Sequence, residues 1–105
     1  MADNRIEMLT QFLNEYPNDA FARYGLAMEY SKTGDVATAM KEFGKLLETH
    51  PDYTAGYFMA AQTLAKAGRN DEAKQFLENG IAAADRTGNN HARSEMQAML
   101  DELSY

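Results

Sequence analysis

Apolar residues return every three or four positions along most of the chain and nowhere in sustained alternation, so the pattern predicts helices and no strands. Leu26, Ala27 and Tyr30 make one such row, Ala60, Ala61 and Leu64 a second, and Ala92, Met96, Met99, Leu100 and Leu103 a third. Three kinds of break interrupt the rows. Thr33-Gly34-Asp35 and Ala67-Gly68-Arg69-Asn70 each carry a glycine able to end a helix in the left-handed conformation. His50-Pro51-Asp52 stops a helix because proline disfavours helix at the residue before it. Asp85–Asn90 (DRTGNN) reads as a turn. The expected helices are about 4–16, 19–32, 35–49, 53–67, 70–84 and 90–103, with Asp35 and Asn70 as caps and Asn4-Arg5-Ile6-Glu7 as a capping box.

The breaks repeat. Shifting the chain by 34 residues sets Pro17 on Pro51, Tyr24 on Phe58, Ala27 on Ala61, Gly34 on Gly68, Ala39 on Ala73 and Phe43 on Leu77. Gly25 and Met59 do not match, nor do Leu46 and Gly80. Alanines at matched positions let two antiparallel helices approach closely, and Phe43 or Leu77 fills the space one turn on. One hairpin of this kind cannot bury both faces and needs a neighbour, which is the logic of an α-solenoid.

Composition adds limits. At 105 residues the chain fits one domain, and 45% apolar with 25% charged residues is too apolar for a disordered chain. There is no cysteine, which excludes disulfides, thiol nucleophiles and Cys-based zinc sites and suits a reducing cytoplasm. No apolar run is long enough to span a bilayer, and acids among the first residues argue against a signal peptide. Within the net charge of −6, residues 20–93 balance nine acids against nine bases, so the excess sits at the ends. That leaves no basic footprint for nucleic acid. His50 and His91 are far apart, without metal-site spacing, and suit solvated loop edges. Asp71-Glu72 and Asp101-Glu102 are adjacent pairs whose side chains point apart on a helix. No glycine pattern forms a phosphate cradle, and no constellation supports catalysis or a cofactor.

The register as a whole resembles the tetratricopeptide repeat (TPR) family. In Ala20–Tyr53 its positions hold Leu26, Ala27, Tyr30, Gly34, Ala39, Phe43, Leu46 and Pro51. In Thr54–Thr87 they hold Tyr57, Ala60, Ala61, Leu64, Gly68, Ala73, Leu77 and Gly80, with Asp85 where proline would stand. Arg23 departs from the large apolar position that Tyr57 keeps. The resemblance implies an all-α, right-handed α-solenoid of about six helices forming a single domain over 1–105. Within it, 1–17 is an N-terminal half-repeat, 20–53 and 54–87 are full repeats, and 89–105 is a C-terminal capping helix. In the last of these, Ser94 and Glu95 fall where the pattern wants Leu and a small residue, and a one-residue insertion in Asp85–His91 would restore the register.

The leading helices of the repeats are apolar on two sides. Beside the packing rows, Phe21, Tyr24 and Met28 form a second stripe, as do Ala55, Phe58 and Met59 with Gln62 continuing it. Neighbouring leading helices account for part of this surface. The resemblance implies a concave groove for a peptide or partner helix, lined by Phe21, Tyr24, Met28, Lys32, Phe58, Gln62 and Lys66, with the two lysines able to hold a carboxylate at one rim. Tyr24, Met28, Phe58 and Gln62 replace the polar set with which some TPR grooves grip a C-terminal carboxylate, so an acidic-tail partner is not expected. The expected function is therefore non-catalytic protein–protein interaction in the cytoplasm, without cofactor, metal, nucleic acid or membrane. The alternative is a homo-oligomeric scaffold, with a homodimer as its simplest form, whose stripe serves self-association.

Overall fold

The computed structural model describes residues 3–105; residues 1 and 2, part of the half-repeat expected over 1–17, lie outside the described residues. Six helices follow one another: α1 (Asp3–Glu15), α2 (Ala20–Lys32), α3 (Val36–Thr49), α4 (Thr54–Lys66), α5 (Asn70–Thr87) and α6 (Asn90–Leu103), with no strand among the described residues. Each helix packs on its sequence neighbours, and α4 also touches α2 and α6. Among the described residues, the backbones of α1, α3 and α5 do not approach one another. The stack is thus closed on the side of the leading helices α2, α4 and α6 and splayed on the other, giving a slab of 39 × 29 × 18 Å.

Local chemistry sets the helix ends. Asp19, Asp35 and Asn89 accept from the N–H groups of Ala22 (2.8 Å), Thr38 (3.2 Å) and Ala92 (3.1 Å), each three residues on. Two expected caps are corrected: Asn70 is the first residue of α5 rather than its cap, and Asn4 lies inside α1. Gly34 and Gly68 take φ of 85° and 79°, which places both left-handed stops where the 34-residue period puts them.

The turn expected over Asp85–Asn90 is also corrected. Helix α5 continues through Asp85, Arg86 and Thr87 and stops at Gly88, whose φ is 70°. The extra turn is anchored. Arg86 Nη2 donates to Asp52 Oδ1 at 2.8 Å, and the Thr87 hydroxyl donates to the Ala83 carbonyl at 3.0 Å. Helix α4 starts 34 residues after α2, at Thr54 against Ala20, whereas α6 starts 36 residues after α4, at Asn90. Two residues enter here instead of one. With that shift Met96 takes the place of Ala60 and Leu100 that of Leu64, and Met96 is wholly buried.

Ala27, Ala39, Ala61 and Ala73 are fully buried, as are Phe43 and Leu77, so close helix approach holds each hairpin together. The mismatched pair Leu46 and Gly80 has its own reason. A Cβ on Gly80 would collide with Met96 Sδ and come within 2.6 Å of Tyr57 Cβ, so the large Met96 occupies the room that glycine leaves. Gly44 has nothing within 4 Å of its would-be Cβ. Gly44→Ala is expected to stabilise by about 0.5–1 kcal/mol through helix propensity, and Gly80→Ala to destabilise by about 1–3 kcal/mol. Urea unfolding of the two variants checks both signs, and equal effects would mean that Gly80 is not a contact point.

Arg23, the departure from the repeat pattern, supplies a polar version of the same joint. Its guanidinium pairs with Glu42 on α3, both side chains largely buried, and donates to the Pro17 carbonyl at 3.0 Å. One period later, Tyr57 donates its hydroxyl to the Pro51 carbonyl at 2.7 Å, and Phe76 stands where Glu42 does. Both repeats therefore tie the leading helix to the turn proline, one through an ion pair and one through an aromatic. Arg23→Met, which strands the Glu42 carboxylate, is expected to cost about 3 kcal/mol or more. The double change Arg23→Tyr with Glu42→Phe copies the second repeat and should restore the parent's urea midpoint to within about 1 kcal/mol. A double variant no better than the single one would refute the equivalence.

Candidate functional site

Helices α2, α4 and α6 run side by side, and the seams between them hold the shallow cavities of the inner face. Between α2 and α4 lies one of about 310 Å³, lined by Met28, Ser31, Lys32, Gln62, Thr63 and Lys66. A 2.7 Å hydrogen bond between the Ser31 and Thr63 hydroxyls bridges the helices at this seam. Thr63 already donates to the Met59 carbonyl at 2.8 Å, so Ser31 is the donor. Between α4 and α6 lies a second cavity, about 480 Å³, lined by Phe58, Gln62, Glu95, Ala98, Met99 and Glu102. Gln62 borders both and is the residue that joins them.

Of the seven residues expected to line a groove, Met28, Lys32, Gln62 and Lys66 meet at the first cavity, and Phe58 with Gln62 at the second. Phe21 and Tyr24 line neither. Phe21 is 76% exposed near the start of α2. Tyr24 is half-buried, its ring 5.5 Å from that of Tyr53, and it packs on the core around Phe43 and Leu46. Met28 and Phe58 are also half-buried against the core, so part of the second stripe is spent on packing. Lys32 stands 3.7 Å from Glu29, whose carboxylate also receives Arg5 at 3.0 Å.

Helix α6 brings residues that were not expected here. Glu95, Met99 and Glu102 give the second cavity an apolar floor and an acidic rim, opposite in sign to the lysines at the first. The signal lay in the spacing of Glu95, Met99 and Glu102 at four and three residues, which puts them on one helix face. His50 is not a free loop histidine: its Nε2 lies 2.9 Å from the Asn18 carbonyl and ties neighbouring turns together. His91 is exposed, 3.6 Å from Glu95. No helix of the described residues is long and apolar enough to cross a membrane.

Burial raises the Tyr24 phenol above its ordinary pKa of 10.0, with the neighbouring Tyr53 adding to it. The same burial, followed by Asp19, raises Tyr53. A raised folded-state value means that the unfolded chain loses these protons first, so the stability from this pair is present below about pH 10 and lost above it. Between about pH 9 and 11 the melting temperature of Tyr24→Phe should fall less than that of the parent. Parallel falls would remove the pair from the balance.

Comparison with known proteins agrees with this architecture. The tetratricopeptide repeat model matches residues 32–100, and a TPR repeat-containing protein of Pseudomonas aeruginosa is 32% identical over 98 residues, 93% of each chain. The chain belongs to the tetratricopeptide repeat family, whose fold is that of protein–protein interaction modules. The solution structure of a tetratricopeptide repeat domain protein from Salinibacter ruber superposes with a TM-score of 0.77 at 32% identity, over 83% of this chain and 88% of that one. PcrH, crystallised with the chaperone binding region of PopD, superposes with a TM-score of 0.89 at 17% identity, over 98% of this chain and 78% of that one, a likeness of fold.

Proposed function

We propose that this chain is a non-catalytic interaction module whose inner face binds an extended peptide or partner helix across α2, α4 and α6. The observation that carries this reading is the continuous row from Met28 through Gln62 and Phe58 to Met99, in which one side chain, Gln62, borders both cavities. A ligand laid along it meets apolar side chains in the middle and charges of opposite sign at the two seams: Lys32 and Lys66 at one, Glu95 and Glu102 at the other. Such a face selects direction, because reversing the ligand juxtaposes like charges. The bound state of PcrH, with a region of PopD, is an instance of a partner on this fold.

Selection of a displayed peptide library on the parent protein tests the reading. Enriched peptides are expected to share an apolar anchor with acidic and basic residues on opposite sides of it. Phe58→Glu should weaken them by tenfold or more while the protein stays helical. Since Phe58 also packs on the core, Gln62→Arg serves as the second variant and leaves the core untouched. Peptides that bind both variants as well as the parent would place the binding face elsewhere.

A further inference from the structure

The two cavities joined at Gln62 are the middle of a longer track. Between the starts of α4 and α6 lies a third, about 230 Å³, which shares Phe58 and Glu95 with the larger cavity beside it. Beyond the other end lies a fourth, about 370 Å³, which shares Ser31, Lys32, Thr63 and Lys66 with its neighbour and reaches Gly34 and Ala67. Each cavity thus borders the next. Their α4 residues advance in order, from Thr54 and Phe58 through Gln62 to Lys66 and Ala67. The track therefore runs the length of α4, opening on its α6 side, crossing the helix at Gln62 and finishing on its α2 side.

Dimensions and polar chemistry select the occupant. From Thr54 to Ala67 the chain rises about 20 Å, and the step between neighbouring seams is one interaxial distance, about 9 Å. The diagonal of about 22 Å is the reach of about seven extended residues. A helix with its side chains is about 10–12 Å across, so it would ride over the crossing rather than follow the step. Gln62 points the same way. Its half-buried amide has no hydrogen-bond partner among the described residues, and it offers a donor and an acceptor at the crossing. An extended backbone has both groups free there, whereas a helix has already paired its own.

Charge sets the order of residues along the track. Lys66 forms no ion pair among the described residues, and Lys32 has only Glu29 at 3.7 Å, which Arg5 already engages. On the other seam Glu102 is likewise unpaired among the described residues, and Glu95 faces His91 at 3.6 Å. We propose that the inner face takes an extended segment of a partner protein, about seven residues long, laid along α4 with basic residues beside Glu95 and Glu102 and acidic ones beside Lys32 and Lys66. This rests on the inner-face reading above and narrows its ligand to one form.

The probes are capped synthetic peptides. One has about seven residues, too few for a stable helix, with leucines at the first, third and fifth positions, lysine at the second and aspartates at the last two. It is made in both chain directions. The other is a hydrocarbon-stapled helix of about 18 residues carrying the same leucines, lysine and aspartates along one face. Binding is followed by fluorescence anisotropy and by the methyl resonances of Met28 and Met99. A short peptide, in one of its two directions, is expected to bind saturably and about tenfold or more tightly than the helix, with both methyls shifting. Lys66→Glu and Glu102→Lys should each weaken it about tenfold; both residues are exposed, so neither change disturbs the core. Gln62→Leu should weaken the short peptide and leave the helix unaffected. Tighter binding by the helix, with Met28 and Met99 shifting, overturns the proposal and leaves the inner-face reading standing. Binding indifferent to Lys66→Glu and Glu102→Lys overturns it as well. Absence of binding by the short peptide in both directions also overturns it, and the library selection then decides the inner-face reading alone.

Discussion

Everything in this chain rests on how closely two antiparallel helices can approach at an alanine. Ala27, Ala39, Ala61 and Ala73 have no exposed surface, and the large side chains beside them, Phe43 and Leu77, are equally enclosed. Small residues bring the backbones together, and large ones seal the space that remains. Because the contact recurs every 34 residues, the leading helices fall into line with their backbones close, while the backbones of the trailing helices stay apart. The inner face and its cavities are therefore by-products of hairpin packing, requiring no element dedicated to them.

Where the repeat departs from itself, the structure solves the same problem with other chemistry. Arg23 with Glu42 and Tyr57 with Phe76 occupy equivalent places, and the first member of each ties its helix to a proline carbonyl. The ion pair is the costlier solution, since both charges leave water, and it has to be matched on both helices to work. Gly80 and Met96 form another exchange, glycine giving up volume that methionine takes, at the point where two added residues alter the period.

Most of the fold is legible in the sequence because backbone geometry demands particular residues. Gly34, Gly68, Pro51 and the buried alanines mark the hairpins almost to the residue. The end of α5 was not legible: Asp85-Arg86-Thr87 has a turn's composition, and a contact that anchors its helical turn, Arg86 to Asp52, lies 34 residues away. The inner face was half legible. Helix periodicity found the stripes, but only packing shows that Tyr24 turns to Tyr53 and that Glu95, Met99 and Glu102 of α6 join Phe58.

The near-exclusive packing of each helix on those next to it in sequence also governs how the chain gains and loses structure. Contacts between sequence neighbours close short loops, so little entropy is spent before each contact forms, and such topologies fold quickly. The same arrangement makes unfolding directional. Among the described residues α1 packs on α2 alone, whereas α3 and α4 are held on both sides, so within these six helices opening costs least at α1. Anything that seated itself against α1 would therefore act as a clasp, slowing the first step of disassembly while leaving the middle of the stack unchanged.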